Sequence, residues 1–201
     1  MRSPLALDVS HLPTSAFGAR TPVWWAVWGL IVIESTMFAI LVASYLYLRL
    51  DADTWPPVGT PRPGLTAATL NVGVLVLSLA PMAWVQRAAY RHARVSVLAG
   101  LALSALLGLV AIAVRVLEFR ALGCRWDSHA YGSLTWSILA MHFGHLVASV
   151  LETFLLAVLF MNRPIEAKHF GDAEVNALYW YFVVGAWLPL YVLVFFGPRM
   201  F

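Results

Sequence analysis

The sequence predicts an all-α membrane protein, an antiparallel bundle of five transmembrane helices, and three observations predict it. Of 201 residues, 61% are hydrophobic and 11% charged, and the mean hydropathy of +0.79 exceeds that of a soluble domain of this size. Five stretches, approximately 24–48, 66–90, 95–119, 131–161 and 175–197, carry the ~20 apolar residues that cross a ~30 Å hydrocarbon core. The connections between them are short and polar, which leaves no room for a sizeable soluble domain.

Residues 1–23 are polar, interrupted by proline and without a hydrophobic signal-peptide core, so they read as a short attached tail on the cytoplasmic side. Residues 24–201 then form a single five-helix domain. The first connection, DADTWPPVGTPRPG, is dense in proline and glycine, which cannot continue a helix. The connection around Arg91 is only a few residues long and makes the second and third spans antiparallel neighbours. The third and fourth connections, ALGCRWDSHAYG and NRPIEAKHFGDAE, are polar and brief. The fourth span is long enough to tilt or protrude, and Pro189 is placed to kink the fifth.

Arginine and lysine in the short loops choose the orientation. With the N-terminus in the cytoplasm, that side holds seven (Arg2, Arg20, Arg87, Arg91, Arg94, Arg163 and Lys168). The other side holds five (Arg49, Arg62, Arg120, Arg125 and Arg199), so the C-terminus is periplasmic. A sequence pI near 9.3 thus describes loop arginines beside anionic lipid, not a nucleic-acid surface. The one cysteine, Cys124, falls in an outer loop and permits no internal disulfide.

The third span shows its inward face most clearly. At 100° per residue, Gly100, Ser104, Gly108, Ala111, Arg115 and Glu118 share a stripe roughly 80° wide. Its small residues let another helix approach, and Arg115 and Glu118 are three apart, where side chains meet. On the fourth span Tyr131, Thr135, His142, His145, Ser149, Glu152 and Thr153 form a polar stripe about 100° wide. Leu146, Val147, Val150, Leu151 and Phe154 occupy the remaining, lipid-facing surface.

Glu34 stands alone in the apolar first span. A charged carboxylate at bilayer depth costs from a few to more than ten kcal/mol, so it must be protonated, paired or both. Tyr45 on its own helix lies too far along the axis, and the partner has to come from another span or subunit. A protonated carboxyl donating one hydrogen bond and a proton-linked group both fit.

His142, His145 and Glu152 were the natural candidates for a metal site, but no second span carries a matching Glu-x-x-His. The other four histidines, His11, His92, His129 and His169, lie in the tail or loops. Haem fails as well, because two histidines three apart cannot ligate one iron from opposite faces and there is no C-x-x-C-H motif. No metal and no cofactor is assigned to this chain. Among the nine tryptophans, Trp24, Trp25, Trp84, Trp126 and Trp180 lie near predicted span ends and read as interfacial anchors.

Over roughly residues 24–197 the chain resembles subunit III of the haem-copper terminal oxidases, the cytochrome c oxidase family. Glu34, Met37, Phe38 and Tyr45 look like that family's glutamate-bearing helix. Leu70-Asn71 is similar to the L-N opening its next helix, and Glu118 to the glutamate ending the one after. Tyr131-Gly132-Ser133 and His142-Phe143-Gly144-His145 resemble its Y-G-S and H-G-L-H. His169-Phe170-Gly171 and the series Tyr179, Trp180, Phe182, Trp187, Tyr191 resemble its H-F-G loop and last aromatic helix. Two positions depart from the family's W-H-F-V-D, where this chain has Tyr181 for His and Val184 for Asp. The match is to a short five-helix form, without the first two of the family's seven helices, so half of the cleft in which members hold phospholipid is missing. Glu152 stands where the family pattern leads one to expect an apolar residue.

The resemblance implies a non-catalytic subunit of an aerobic respiratory oxidase in a bacterial inner membrane. Haem and copper would reside in subunits I and II, its partners, chiefly subunit I. Membrane lipid would be a further partner, and bound phospholipid is compatible with it. Glu34 would support proton uptake, with Arg115, Glu118, His142, His145 and Glu152 as the remaining buried polar or proton-linked candidates. The sequence is also compatible with two alternatives: a related accessory protein of nitric oxide reductases, and a stand-alone proton-coupled carrier relaying through Glu34 and His142. The carrier would be expected to show inverted repeats or broken half-helices, which this sequence lacks.

Overall fold

Each apolar stretch forms one long helix in the computed structural model, which describes residues 22–162 and 164–200. They are α1 (Pro22–Asp51), α2 (Leu65–Tyr90), α3 (Arg94–Ala121), α4 (Ala130–Asn162) and α5 (Ala167–Tyr191). The tail residues Arg2, His11 and Arg20, and Arg163 in the fourth connection, lie outside the described residues. All five helices are long and apolar enough to cross a membrane.

Pairwise packing closes α2, α3, α4 and α5 into a ring in which each helix touches the next and α5 returns to α2. Helix α1 lies outside that ring, against α4 and α5. Most of its surface is exposed, and Ile31, Glu34, Phe38 and Tyr45 are its buried residues.

The tightest contacts are made by the predicted stripe of α3, all six members of which are buried. A methyl group placed on Gly100 would come within 2.6 Å of Val85 on α2. One placed on Gly108 would collide with Val150 on α4 and approach Trp180 on α5 to 2.9 Å. Backbone-close approach of this kind is what small residues contribute where lipid tails are as apolar as leucine and the hydrophobic effect does not drive helices together.

The connections fix both ends of the bundle. Between α2 and α3, His92 adopts a left-handed conformation (φ 51), His92 N–H donates to Ala89 and Ala93 N–H to Ala88. That is a Schellman closure satisfying the last carbonyls of α2. Arg94 then spans the gap to α4, donating to the Phe160 carbonyl at 2.7 and 3.0 Å and to Met161 at 3.2 Å. At the opposite end Gly64 N–H donates to Ala121, and Arg199 donates to Pro63 at 2.6 Å. There Trp55 is buried edge-on between Tyr45 and Tyr131, with ring centroids 5.3 and 5.2 Å away.

Two expectations need correcting. Helix α5 begins at Ala167, not near 175, so residues 167–174 of the expected loop are helical. His169 Nδ1 accepts from Glu166 N–H at 3.0 Å and caps that start. The same shift moves Trp180 away from any helix end: it is 1% exposed and donates from Nε1 to Ser78 Oγ at 2.9 Å, inside the ring. Further along, Pro189 lies within α5 and a π-helical turn, Val192–Phe196, follows it. A missing proline N–H loosens the i to i−4 ladder at that place.

The second correction concerns α4. Leu146 and Val150, assigned to the lipid side, are 1% and 5% exposed. The buried residues of α4 span roughly 120°, and that arc is rotated from the polar stripe toward Leu146 and Val150. His145 falls about 20° outside the arc and Glu152 about 40° outside it.

Candidate functional site

Two polar clusters occupy the bundle. The first joins four helices. Arg115 Nη1 donates to Glu118 Oε2 at 2.6 Å, both fully buried, and Asn71 Nδ2 on α2 donates to Glu118 Oε1. Arg115 Nη2 lies 3.0 Å from His142 Nδ1 on α4, and His142 Nε2 lies 3.0 Å from the Val183 carbonyl on α5. A guanidinium can only donate and a carbonyl only accept, so His142 is the neutral tautomer with its proton on Nε2. Both of its ring nitrogens are thereby committed. The Arg115 guanidinium carbon also sits 3.6 Å above the Trp187 ring centroid, a desolvated cation–π contact worth about 2 kcal/mol.

The second cluster lies at the junction of α1, α4 and α5. Tyr179 Oη donates to Glu34 Oε1 at 3.0 Å, and His145 Nε2 stands 3.5 Å from the same oxygen. The partner of Glu34 does come from other spans. His145 Nδ1 lies 2.7 Å from the Met141 carbonyl and therefore carries a proton. That leaves Nε2 as the nitrogen facing Glu34. Glu34 is 8% exposed and His145 half-buried, so the pair is enclosed where α1 packs against α4 and α5.

Phe38 separates the clusters, packing 5.1 Å from the His145 ring and 6.4 Å from the His142 ring between centroids. A relay from Glu34 to His142 is therefore interrupted by an apolar ring, and the histidine beside Glu34 is His145. Glu152 joins neither cluster and is exposed. Among the described residues no three His, Cys, Asp or Glu side chains are grouped to hold a metal ion.

Sequence reasoning had not placed Tyr179, Trp187, Asn71 or the Val183 carbonyl in these clusters. Tyr179 and Trp187 are eight apart in the aromatic run of α5, and that spacing puts both toward the interior. The Val183 carbonyl has no side-chain signal at all. At the departing family position, Tyr181 Oη still makes a polar contact, donating to Gln86 Oε1 on α2 at 3.1 Å, while Val184 is simply buried.

The loop between α3 and α4 holds a further ion pair. Arg125 donates to Asp127 at 2.9 and 2.8 Å and keeps that carboxyl below its ordinary range. Both groups are exposed, and the pair adds little stability. Next to it, burial pushes the Cys124 thiol up.

Comparison with known proteins places this geometry. The family model for cytochrome c oxidase subunit III matches residues 15–198. The chain belongs to that family. It is 30% identical over 143 residues to cytochrome c oxidase subunit 3 of Petromyzon marinus, covering 71% of this chain and 55% of that protein. It is also 30% identical over 148 residues to the subunit 3 protein of Branchiostoma lanceolatum, covering 71% and 55%. A third subunit 3 protein, from Cyprinus carpio, is 30% identical over 144 residues, covering 70% and 54%. The chain thus spans about half the length of the curated relatives it matches.

Proposed function

We propose that this subunit III chain is a non-catalytic member of an aerobic terminal oxidase, held in a bacterial inner membrane with the N-terminal tail of residues 1–23 cytoplasmic and the C-terminus periplasmic. In this reading residues 24–201 form one domain that braces subunit I, with subunit II in the same complex. Haem and copper belong to those partners, and lipid surrounds or seats beside the bundle.

The single observation that carries the functional part is the Glu34–His145 pair, placed to share one proton beside Tyr179 where α1 meets α4 and α5. The Arg115 cluster supports the bracing role: it ties α2, α3, α4 and α5 together with buried charge, and breaking such a network is strongly destabilising. Nothing in the geometry favours the nitric oxide reductase or carrier readings.

The test is purification of the tagged chain in mild detergent, with and without Glu34→Gln. A haem-containing, oxygen-reducing complex is expected in both cases. The variant should assemble normally yet show altered proton uptake or faster loss of activity during turnover. Wild-type rates and lifetimes would refute the proton-linked half, and a haem-free, silent monomer from the unmodified chain would refute the whole reading.

A further inference from the structure

Glu152 is a carboxylate in the apolar stretch of α4 that the preceding account leaves unused. It is exposed and lines an open groove of about 520 Å³ whose other walls are Ala148, Leu151, Leu155, Leu159 and, from α5, Asp172. Ion pairs among the described residues include Arg115–Glu118, Arg125–Asp127, His145–Glu34 and Lys168–Glu166. None reaches Glu152, and the ionisable residue sharing its groove, Asp172, has the same sign. A carboxylate facing acyl chains costs at least a few kcal/mol, so such residues face protein or pair with an opposite charge.

We infer that this groove seats a transmembrane helix of another chain that carries a lysine or arginine at the depth of Glu152. The inference rests on the reading of this protein as a complex subunit and names one of its contacts. Sign and depth choose the occupant. Glu152 lies about 15 Å along α4 from the helix end at Asn162, and the run of residues 154–161 between them is wholly apolar. A lipid amine stays with the headgroups, whereas a side chain on a partner helix can be fixed at any depth. The apolar walls match the remaining surface of such a helix. A second copy of this chain does not fit: among the described residues its one mid-span cation, Arg115, is fully buried.

The experiment compares the purified wild-type complex with Glu152→Lys and Glu152→Gln by native mass spectrometry. It also places a photo-reactive amino acid at Leu155, which lines the same groove. Charge reversal is expected to reduce recovery of one partner chain by about tenfold or more, and neutralisation by less. The cross-linked peptide should be an apolar span containing a lysine or arginine, and changing that residue to glutamate should restore recovery with Glu152→Lys. Cross-links to lipid alone or to a second copy overturn the inference, as does undiminished recovery with Glu152→Lys. An intact wild-type complex accompanied by any of these leaves the proposed function standing, whereas a wild-type chain that purifies alone removes both.

Discussion

Tyr179 on α5 and Glu34 on α1, 145 residues apart in sequence, meet in a 3.0 Å hydrogen bond inside the protein. That bond and the His145 contact are polar links that hold α1 to a ring it otherwise touches with few buried side chains. Tyr179→Phe removes the donor while keeping the ring. It should destabilise the folded chain by about 1–3 kcal/mol, the usual penalty for leaving a buried partner unsatisfied. Thermal unfolding in detergent reads that loss. The assembled enzyme should also shift in turnover lifetime in the same direction as Glu34→Gln, because both changes disturb one proton site. Unchanged unfolding and lifetime together would show the bond to be incidental.

The buried Arg115–Glu118 pair makes a sharper prediction through non-additivity. Arg115→Leu leaves Glu118 buried opposite only Asn71, and should cost about 3–5 kcal/mol. Glu118→Leu strands the guanidinium between His142 and Trp187, with a similar penalty. The double variant should be less destabilised than the two singles summed, since no lone charge remains. Additive losses in a double-mutant cycle would mean that the two side chains act independently.

Gly108 should tolerate no branched side chain. Val150 and Trp180 already occupy the space a side chain would need, so Gly108→Leu must separate α3 from α4 and α5. Overpacking typically costs 1–3 kcal/mol and occasionally more. Gly144 has nothing within 4 Å of its added methyl, and Gly144→Ala is therefore the matched control, expected near wild type. Equal recovery of Gly108→Leu and Gly144→Ala would contradict the close approach.

Cys124 tests the proposed orientation, because it is the one cysteine in the chain. An impermeant maleimide should label it from the periplasmic face of intact cells. The reactive species is the thiolate, and a thiol pushed up by burial holds less of it at neutral pH. Labelling should accordingly be slow at pH 7 and rise roughly tenfold per pH unit until the thiol is titrated. Labelling only after the inner face is opened would reverse the assigned topology.

The five helices and the inward stripe of α3 were legible because lipid imposes a simple rule on side chains: apolar where it touches them, small or paired where protein does. The same rule hid the start of α5. Residues 167–174 carry Lys168, His169, Asp172 and Glu174, and hydropathy reports polarity rather than helix, whereas Glu166 and His169 carried the capping signal. In α4 the polar stripe and the buried arc are offset, as buried Leu146 and Val150 and exposed Glu152 show. His142 and His145 point about 60° apart, so spacing alone separates their directions. It does not name the neighbour each one meets. That required knowing that α1 sits outside the ring against α4 and α5, a fact no periodicity encodes.

The central claim is that this chain braces and protects a catalytic partner and holds no redox centre itself. The most direct measurement strips it from the purified, active complex and follows metal content and oxygen consumption over successive turnovers. All haem iron and copper should stay with the stripped core, whose initial rate should remain while its activity decays faster, and adding the chain back should restore the lifetime. Iron or copper leaving with this chain, or a stripped core as durable as the intact complex, would contradict the account.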